Sequence, residues 1–340
     1  MLIETVAELE EVLTRPSPGL LQDLRSIEGD VALIGCGGKI GPTLARMARR
    51  ALDEVGSAAR VVAVSRFSDP AARRSLDEAG VETVAADLED PAQVRGLPDA
   101  PNVVYLLGRK FGTTGDEAST WATNAYTAGR VAERYAGSRI AVFSSGNVYP
   151  LSRPFSGGCS EETPPAPVGE YAQSCLARER LFEYAARRHH SPTVTLRLNY
   201  ANDLRYGVLT DVALGVRSGR PVDLAMGAVN VIWQGDVNDA ALRSLALGSA
   251  PPRVLNLAGP ETVSLRWLVQ RFAERFGVEP LVTGEEAPEA LLSNGGRAFD
   301  LFGYPRVPLL RMIDWVAHWV EIGGPLLNRP THFQEREGTF

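Results

Sequence analysis

Apolar residues fall along this chain in two rhythms: short, nearly unbroken runs, and longer stretches in which they recur every three or four positions. Val31–Ile34, Val61–Val64, Val81–Ala86, Asn102–Leu107, Arg139–Phe143, Thr193–Tyr200 and Pro252–Pro260 belong to the first kind, and such runs suit strands buried on both faces. Pro42–Leu52, 117–135, 171–188 and Ser264–Phe276 belong to the second, the spacing of helices with one apolar stripe. Pro42 suits a first helical turn, where its missing N–H has no partner to lose, and Gly277 stops the last of these helices. Strand and helix signals alternate, which predicts an α/β fold built on a doubly wound parallel sheet. Ahead of the first strand, residues 1–28 form an N-terminal helical extension, with helical spacing over Glu4–Leu13 and Leu20–Ile27 around a Pro16–Gly19 break. That extension either pads the sheet edge or meets another subunit.

The 340 residues are enough for one large α/β domain with a smaller appendage. With 44% hydrophobic and 22% charged residues, the composition is that of an ordinary soluble globular protein. A net charge of −6 without a basic stripe argues against a nucleic-acid partner. No apolar run nears the ~20 residues that span a bilayer, so no membrane is expected, and the acidic start is not that of a signal peptide. Cys36, Cys159 and Cys175 are scattered without metal-ligand spacing, so no metal is expected and a cytoplasmic location is. Lys39 and Lys110 are the only lysines in a basic total of 35. Codon bias explains the arginine excess, yet both lysines fall in segments that the motifs assign to a cofactor.

The stretch that organises the rest is Val31–Gly41, where a buried run passes into Gly35-x-x-Gly38-Lys39-Ile40-Gly41 and then a helix. Strand, glycine turn and helix N-terminus form a cradle for a dinucleotide pyrophosphate: glycines admit the phosphates close to the backbone, and free amides and the helix dipole hold their charge. The bland alternative is an ordinary glycine-rich turn. The second strand ends at Ser65-Arg66, the third at Asp87-Leu88, and the fourth at Leu107-Gly108 before a loop with Lys110 and Phe111. Carboxyl ends of parallel strands are where ligands sit in open α/β sheets. An acid after the second strand would bind the ribose 2′-OH of NAD; Arg66 leans instead to the 2′-phosphate of NADP, unless it is a solvated surface arginine. Asp87 equally suits a helix cap.

The glycine spacing, Ser144-Ser145-Gly-Asn147-Val-Tyr149, Tyr171 after a proline-rich approach, and the closing segment Ala298–Pro305 with helix Leu309–Val320 together resemble one family. It is the extended branch of the short-chain dehydrogenase/reductase superfamily, the NAD-dependent epimerase/dehydratase family. The resemblance implies a Rossmann dinucleotide-binding domain over 29–199, completed by strands within 228–258, and a smaller C-terminal substrate-binding lobe from 200–227 and 259–340. It implies that Ser145 polarises a substrate oxygen, Tyr171 exchanges its proton, Lys110 reaches the cofactor, Asp87 contacts the adenine and Asn124 supports the active-site backbone. Simple turn chemistry for the serines, a solvated Lys110 and a solvent-facing Asn124 are the structural alternatives. Phe111, Asn147, Asn199 and Arg205 are the substrate-side candidates. The Arg197-x-Asn199-Tyr200 stretch is a shortened match, and Arg205-Tyr206-Gly207 either lines the pocket or lies on the surface. Val229–Val237 resembles a strand leading to a helix-capping aspartate, Asp236. His189 and His190 end a helix, where their charge suits its dipole. The tail from Gly323 to Phe340 wraps the pocket or a partner, or frays.

One position departs from the family. Its lysine four residues after the tyrosine, which lies near the phenol on the same helix face, is Cys175 here. An unperturbed phenol, with a pKa near ~10, is only about 0.1% ionised at neutral pH, and a nearby cation recovers roughly one to three units. A thiol supplies no such charge. Either the oxidised nicotinamide and Lys110 depress the Tyr171 pKa, or Tyr171 works as a hydrogen-bond donor, or catalysis is lost. Cys175 itself reads as a small buried residue rather than a reactive thiol. The expected function is an NAD(P)-dependent oxidoreductase acting on a secondary alcohol or ketone of a sugar or sugar derivative. The alternative is a non-catalytic NAD(P)-binding regulator or scaffold. The resemblance also implies a homodimer through helices 117–135 and 171–188.

Overall fold

The computed structural model describes residues 2–340. Seven strands, β1 (Val31–Ile34), β2 (Val61–Ser65), β3 (Glu82–Ala85), β4 (Asn102–Tyr105), β5 (Arg139–Ser145), β6 (Thr193–Leu198) and β7 (Arg253–Leu257), form one parallel sheet in the order β7-β6-β5-β4-β1-β2-β3. Successive residues of a strand point to opposite faces, and the sheet is covered on both. Leu33, Ala63, Val104, Ala141 and Leu196 pack against α3 (Gly41–Glu54) and the helix Gln234–Ser244. Ala32, Ile34, Val62, Val103 and Val142 face the opposite core, with Val131 and Phe182. Double burial explains why these strands read as unbroken apolar runs. Of the strands within 228–258, only β7 joins the sheet; Ala228–Val229 pairs with Val263–Ser264, and Ile232–Trp233 with Ala201–Asn202.

A third core belongs to the C-terminal lobe, built from the helices Val208–Arg217, Leu265–Phe276 and Leu309–Glu321. The N-terminal extension feeds it. Of its two helices, α1 (Val6–Thr14) and α2 (Pro18–Leu24), the first opens with a capping box between Thr5 and Glu8 and buries Leu9 and Leu13 in the lobe core. The extension therefore ties the lobe to α3 and is not a mere sheet edge. The segment 117–135 is not one regular helix: α-helical turns at Glu117–Trp121 and Thr127–Arg134 flank a π-helical turn at Ala122–Tyr126. The next long helix, Gly169–His189, packs along it. No helix among the described residues is long and apolar enough to cross a membrane.

Candidate functional site

β1 has β2 on one side and β4 on the other, so the chain leaves it in opposite directions, and a crevice opens at that switch point. The crevice holds a cavity of about 340 Å³. Of the sequence candidates, Gly35, Gly38, Lys39, Ile40, Gly41, Gly108, Lys110, Phe111, Ser145, Asn147, Tyr171 and Asn199 line it. Ser65 and Arg66 at the end of β2, Asp87 and Leu88 after β3, and Leu107 after β4 lie outside this cavity at neighbouring strand ends. Arg66 is exposed, while Asp87 accepts from the Glu89 amide.

The fold requires two of the three motif glycines, for different reasons. Gly35 has φ +87°, and a Cβ there would lie 2.6 Å from the Leu107 nitrogen. At Gly41 a Cβ would meet the Cys36 carbonyl oxygen at 2.1 Å. At Gly38 the nearest heavy atom would be 3.9 Å away, so the fold itself does not demand a glycine. An open glycine between two obligatory ones, facing an α3 N-terminus with no side-chain cap, fits a phosphate brought against the backbone. The residues present thus suit a dinucleotide.

Ser145 closes β5 and caps the short turn Gly146–Val148: its Oγ accepts from the Asn147 amide at 3.2 Å and donates to Asn147 Oδ1 at 3.0 Å. Tyr171, in the first turn of Gly169–His189, lines the same cavity as Ser145. Burial pushes the Tyr171 phenol far up, a Cys175 charge would push it further, and Arg178 pulls it down. Cys175 is fully buried, its thiol held protonated by burial, and Arg178 Nη2 donates to its Sγ at 2.8 Å. Beneath the pair, Arg197 and Glu179 form a buried ion pair at 2.7 Å, and Ser144 Oγ donates to Glu179 Oε1 at 2.5 Å.

Asn124 does not face solvent. It sits in the π-helical turn, fully buried. Its Oδ1 accepts from the Arg109 amide at 2.7 Å, and its Nδ2 donates to the Arg109 carbonyl and Ser174 Oγ, both at 2.9 Å. The wide turn gives that side chain its reach into the loop before Lys110. Lys110 Nζ donates to the Thr331 carbonyl at 3.3 Å and lies 6.0 Å from the Tyr171 ring centre; loss of water lowers its pKa to about 8. Lys39 Nζ sits 3.2 Å over the Tyr206 ring. Burial, then repulsion by Lys110 and Arg329, brings it down to about 7.

Three expectations need correction. Arg205 is not in the cleft: its guanidinium pairs with Asp203 at 2.6 Å and Glu10 at 2.7 Å, tying the lobe to α1, and the neighbouring Tyr206 lines the cleft instead. Asp236 caps no helix; it accepts from Arg306 Nε and the Val307 amide, both at 3.1 Å. Asn199, although at the cleft wall, commits its Nδ2 to Asn230 Oδ1 and the Leu291 carbonyl. The tail neither frays nor leaves the molecule: Thr331 binds Asp211, the Phe340 carbonyl accepts from Thr113, and the Phe340 ring meets Tyr171 at 5.4 Å. His189 pairs with Glu133 at 2.8 Å, and among the described residues no group of three or more His, Cys, Asp or Glu is set to hold a metal.

Sequence reading missed Arg178, Gln234, Arg329 and Thr331, which also line the cleft. Arg178 had a signal, seven residues after Tyr171 on one helix face. The tail residues had none.

Fold and cleft define a Rossmann-type dinucleotide-binding protein. The family model described as "NAD dependent epimerase/dehydratase family" matches residues 31–202, just over half of the chain, and the protein belongs to that family. A search of curated sequences gives no match. Among solved structures, MoeE5 in complex with UDP-glucose and NAD superposes at a TM-score of 0.67 with 22% identity, covering 87% of this chain and 99% of that one. UDP-glucose 4-epimerase with UDP-glucose from Thermotoga maritima gives a TM-score of 0.70 at 18% identity, over 86% of this chain and 98% of that one. The epimerase Mth375 from Methanothermobacter thermautotrophicus gives 0.71 at 16%, over 90% and 96%.

Proposed function

We propose that this protein is an NAD(P)-dependent oxidoreductase of the epimerase/dehydratase type, acting on a secondary alcohol or ketone of a sugar nucleotide. The observation that carries the reading is that Ser145 and Tyr171 line the same cleft as the open glycine turn. Gly38 and the amides at the start of α3 would hold the pyrophosphate, and Lys110 would anchor the nicotinamide half. The dinucleotide supplies an acceptor and donor of hydride. Ser145 holds the substrate oxygen while Tyr171 takes the hydroxyl proton as the carbon–hydrogen bond breaks, leaving a carbonyl; the reverse returns both.

Lys39, Lys110, Arg178 and Arg329 all line the cleft. That excess of cations favours anionic ligands, in keeping with the UDP-glucose and NAD bound by MoeE5. Arg66, exposed beside Ser65 with no acid at the β2 end, favours the 2′-phosphate of NADP over NAD. The three cysteines are buried and free, which suits a reducing cytoplasm. Exposed Trp121, Tyr126 and Tyr184 along the paired helices 117–135 and 169–189 suit a face covered by a second copy.

The test is mass spectrometry of the nucleotide released on denaturing freshly purified protein, followed by incubation of the loaded protein with UDP-glucose and UDP-galactose. Retained or readily bound NAD(P) with turnover of either sugar supports the reading. A protein that binds neither dinucleotide overturns it, and one that binds without hydride exchange on any sugar nucleotide is the regulator.

A further inference from the structure

The helix Gly169–His189 carries Tyr171, Cys175 and Arg178 on one face, with Tyr171 and Arg178 lining the cleft and Cys175 enclosed between them. Arg178 is only 4% exposed. Its Nη1 donates to the Leu107 carbonyl at 2.7 Å, just past the end of β4, and its Nη2 to Cys175 Sγ at 2.8 Å. Its Nε is buried with no partner. Among the described residues no carboxylate pairs with this guanidinium: the nearby Glu179 is taken by Arg197 and Ser144. The groups that act on it are Cys175, Tyr105 and Tyr171, all neutral at rest. A dry, uncompensated charge is costly, and arginine cannot shed it by losing its proton. Such a charge is relieved when a neighbouring group becomes negative.

Of those neighbours, Tyr105 is buried behind Phe182 and Cys175 is fully enclosed, whereas Tyr171 faces the cavity. Lys110 is the other cation near the phenol, but its ammonium is committed to the tail through the Thr331 carbonyl.

We propose that Arg178 is the positioning cation of this site: its guanidinium, held by Leu107 and Cys175, stabilises the Tyr171 oxygen when that oxygen carries negative charge. The inference rests on the oxidoreductase reading and deepens it. Cys175 is then a fitted part, small and neutral enough to seat the guanidinium. A lysine at 175 would crowd a second cation against Arg178, so installing the family residue alone harms this chain.

The test compares wild type, Arg178→Gln, Arg178→Lys, Cys175→Lys and the double variant Cys175→Lys/Arg178→Gln, each checked for folding by circular dichroism and thermal melting. One readout is NMR of protein labelled with ¹³Cζ-tyrosine, free and with NAD, with Tyr171 assigned through Tyr171→Phe. The other is the pH profile of NAD reduction with UDP-glucose as probe. In Arg178→Gln the Tyr171 ionisation midpoint, read in the NAD complex, is expected to rise by about one unit or more, with the pH–rate profile shifted alike and neutral-pH turnover down at least about tenfold; Arg178→Lys shifts it less. Cys175→Lys alone is expected to lose activity and the double variant to regain it. An unmoved midpoint and profile in folded Arg178→Gln, or a double variant no better than the poorer single, overturns the proposal. If wild type reduces no NAD, the oxidoreductase reading falls, while the Tyr171 midpoint still decides the role of Arg178. If Arg178→Gln does not fold, Cys175→Lys decides it: undiminished turnover in that folded variant overturns the proposal.

Discussion

Replacing Asn124 by Ala tests how the helices hold the cleft. The change deletes three hydrogen bonds, at 2.7, 2.9 and 2.9 Å, to the Arg109 amide, the Arg109 carbonyl and Ser174 Oγ. At about 1 kcal/mol net per bond the loss would be about 3 kcal/mol. Ser174 keeps its bond to the Tyr171 carbonyl and Arg109 is only half-buried, so water recovers part, and about 2 kcal/mol is expected. At roughly 2–4 °C per kcal/mol for proteins somewhat smaller than this one, the melting temperature falls by about 5 °C. The same bonds fix the backbone before Lys110 and Phe111, so NAD affinity falls as well. Asn124→Asp is expected to be at least as harmful, since a carboxylate keeps the bond from the Arg109 amide but faces the Arg109 carbonyl without a proton. Calorimetry and NAD titration read both effects. An Asn124→Ala protein with unchanged melting and affinity would refute the supporting role.

Two further outcomes follow from the cleft. Gly41→Ala drives a Cβ into the Cys36 carbonyl and should cost about 3 kcal/mol of stability. Gly38→Ala meets nothing nearer than 3.9 Å and should leave melting unchanged while weakening NAD binding; thermal scans beside NAD titrations separate the two. Lys39, brought down to about 7 by burial, Lys110 and Arg329, sets a pH dependence. The unfolded lysine keeps its proton to ~10.4, so between these values the unfolded chain binds more protons and stability rises with pH. A bound phosphate favours charged Lys39, so NAD affinity should fall as pH rises above 7, by at most about tenfold per unit. Calorimetric titration from pH 6 to 9 should show this slope in wild type and not in Lys39→Gln.

Elements set by near-range sterics were legible in the sequence. Gly41 is forced by the turn after β1 and Gly35 by the chain just past β4, and the doubly buried strands write themselves as apolar runs. Ser145 and Tyr171 were singled out through the family resemblance, and the structure sets one at the end of β5 and the other at the start of a helix, both at the cleft. Asn124 was undecided between core and solvent, because the π-helical turn that points it inward leaves no mark in the apolar spacing. Arg205 was misassigned since its partner Glu10 lies on another helix far along the chain. Arg329 and Thr331 enter the cleft through the tail, whose path hangs on Asp211 and Thr113, contacts that no local pattern encodes. Arg178 was hidden for a related reason: its role depends on a carbonyl 71 residues away.

On the proposed function, Tyr171 moves a proton during hydride exchange in this cleft. Absorbance at the reduced-nicotinamide band, followed over a single turnover of NAD-loaded protein mixed with UDP-glucose or UDP-galactose, tests it most directly. Wild type should develop the band, and Tyr171→Phe, with NAD affinity intact, should develop it about 10²–10⁴ times more slowly. Equal rates in the two proteins would rule out that proton transfer by Tyr171.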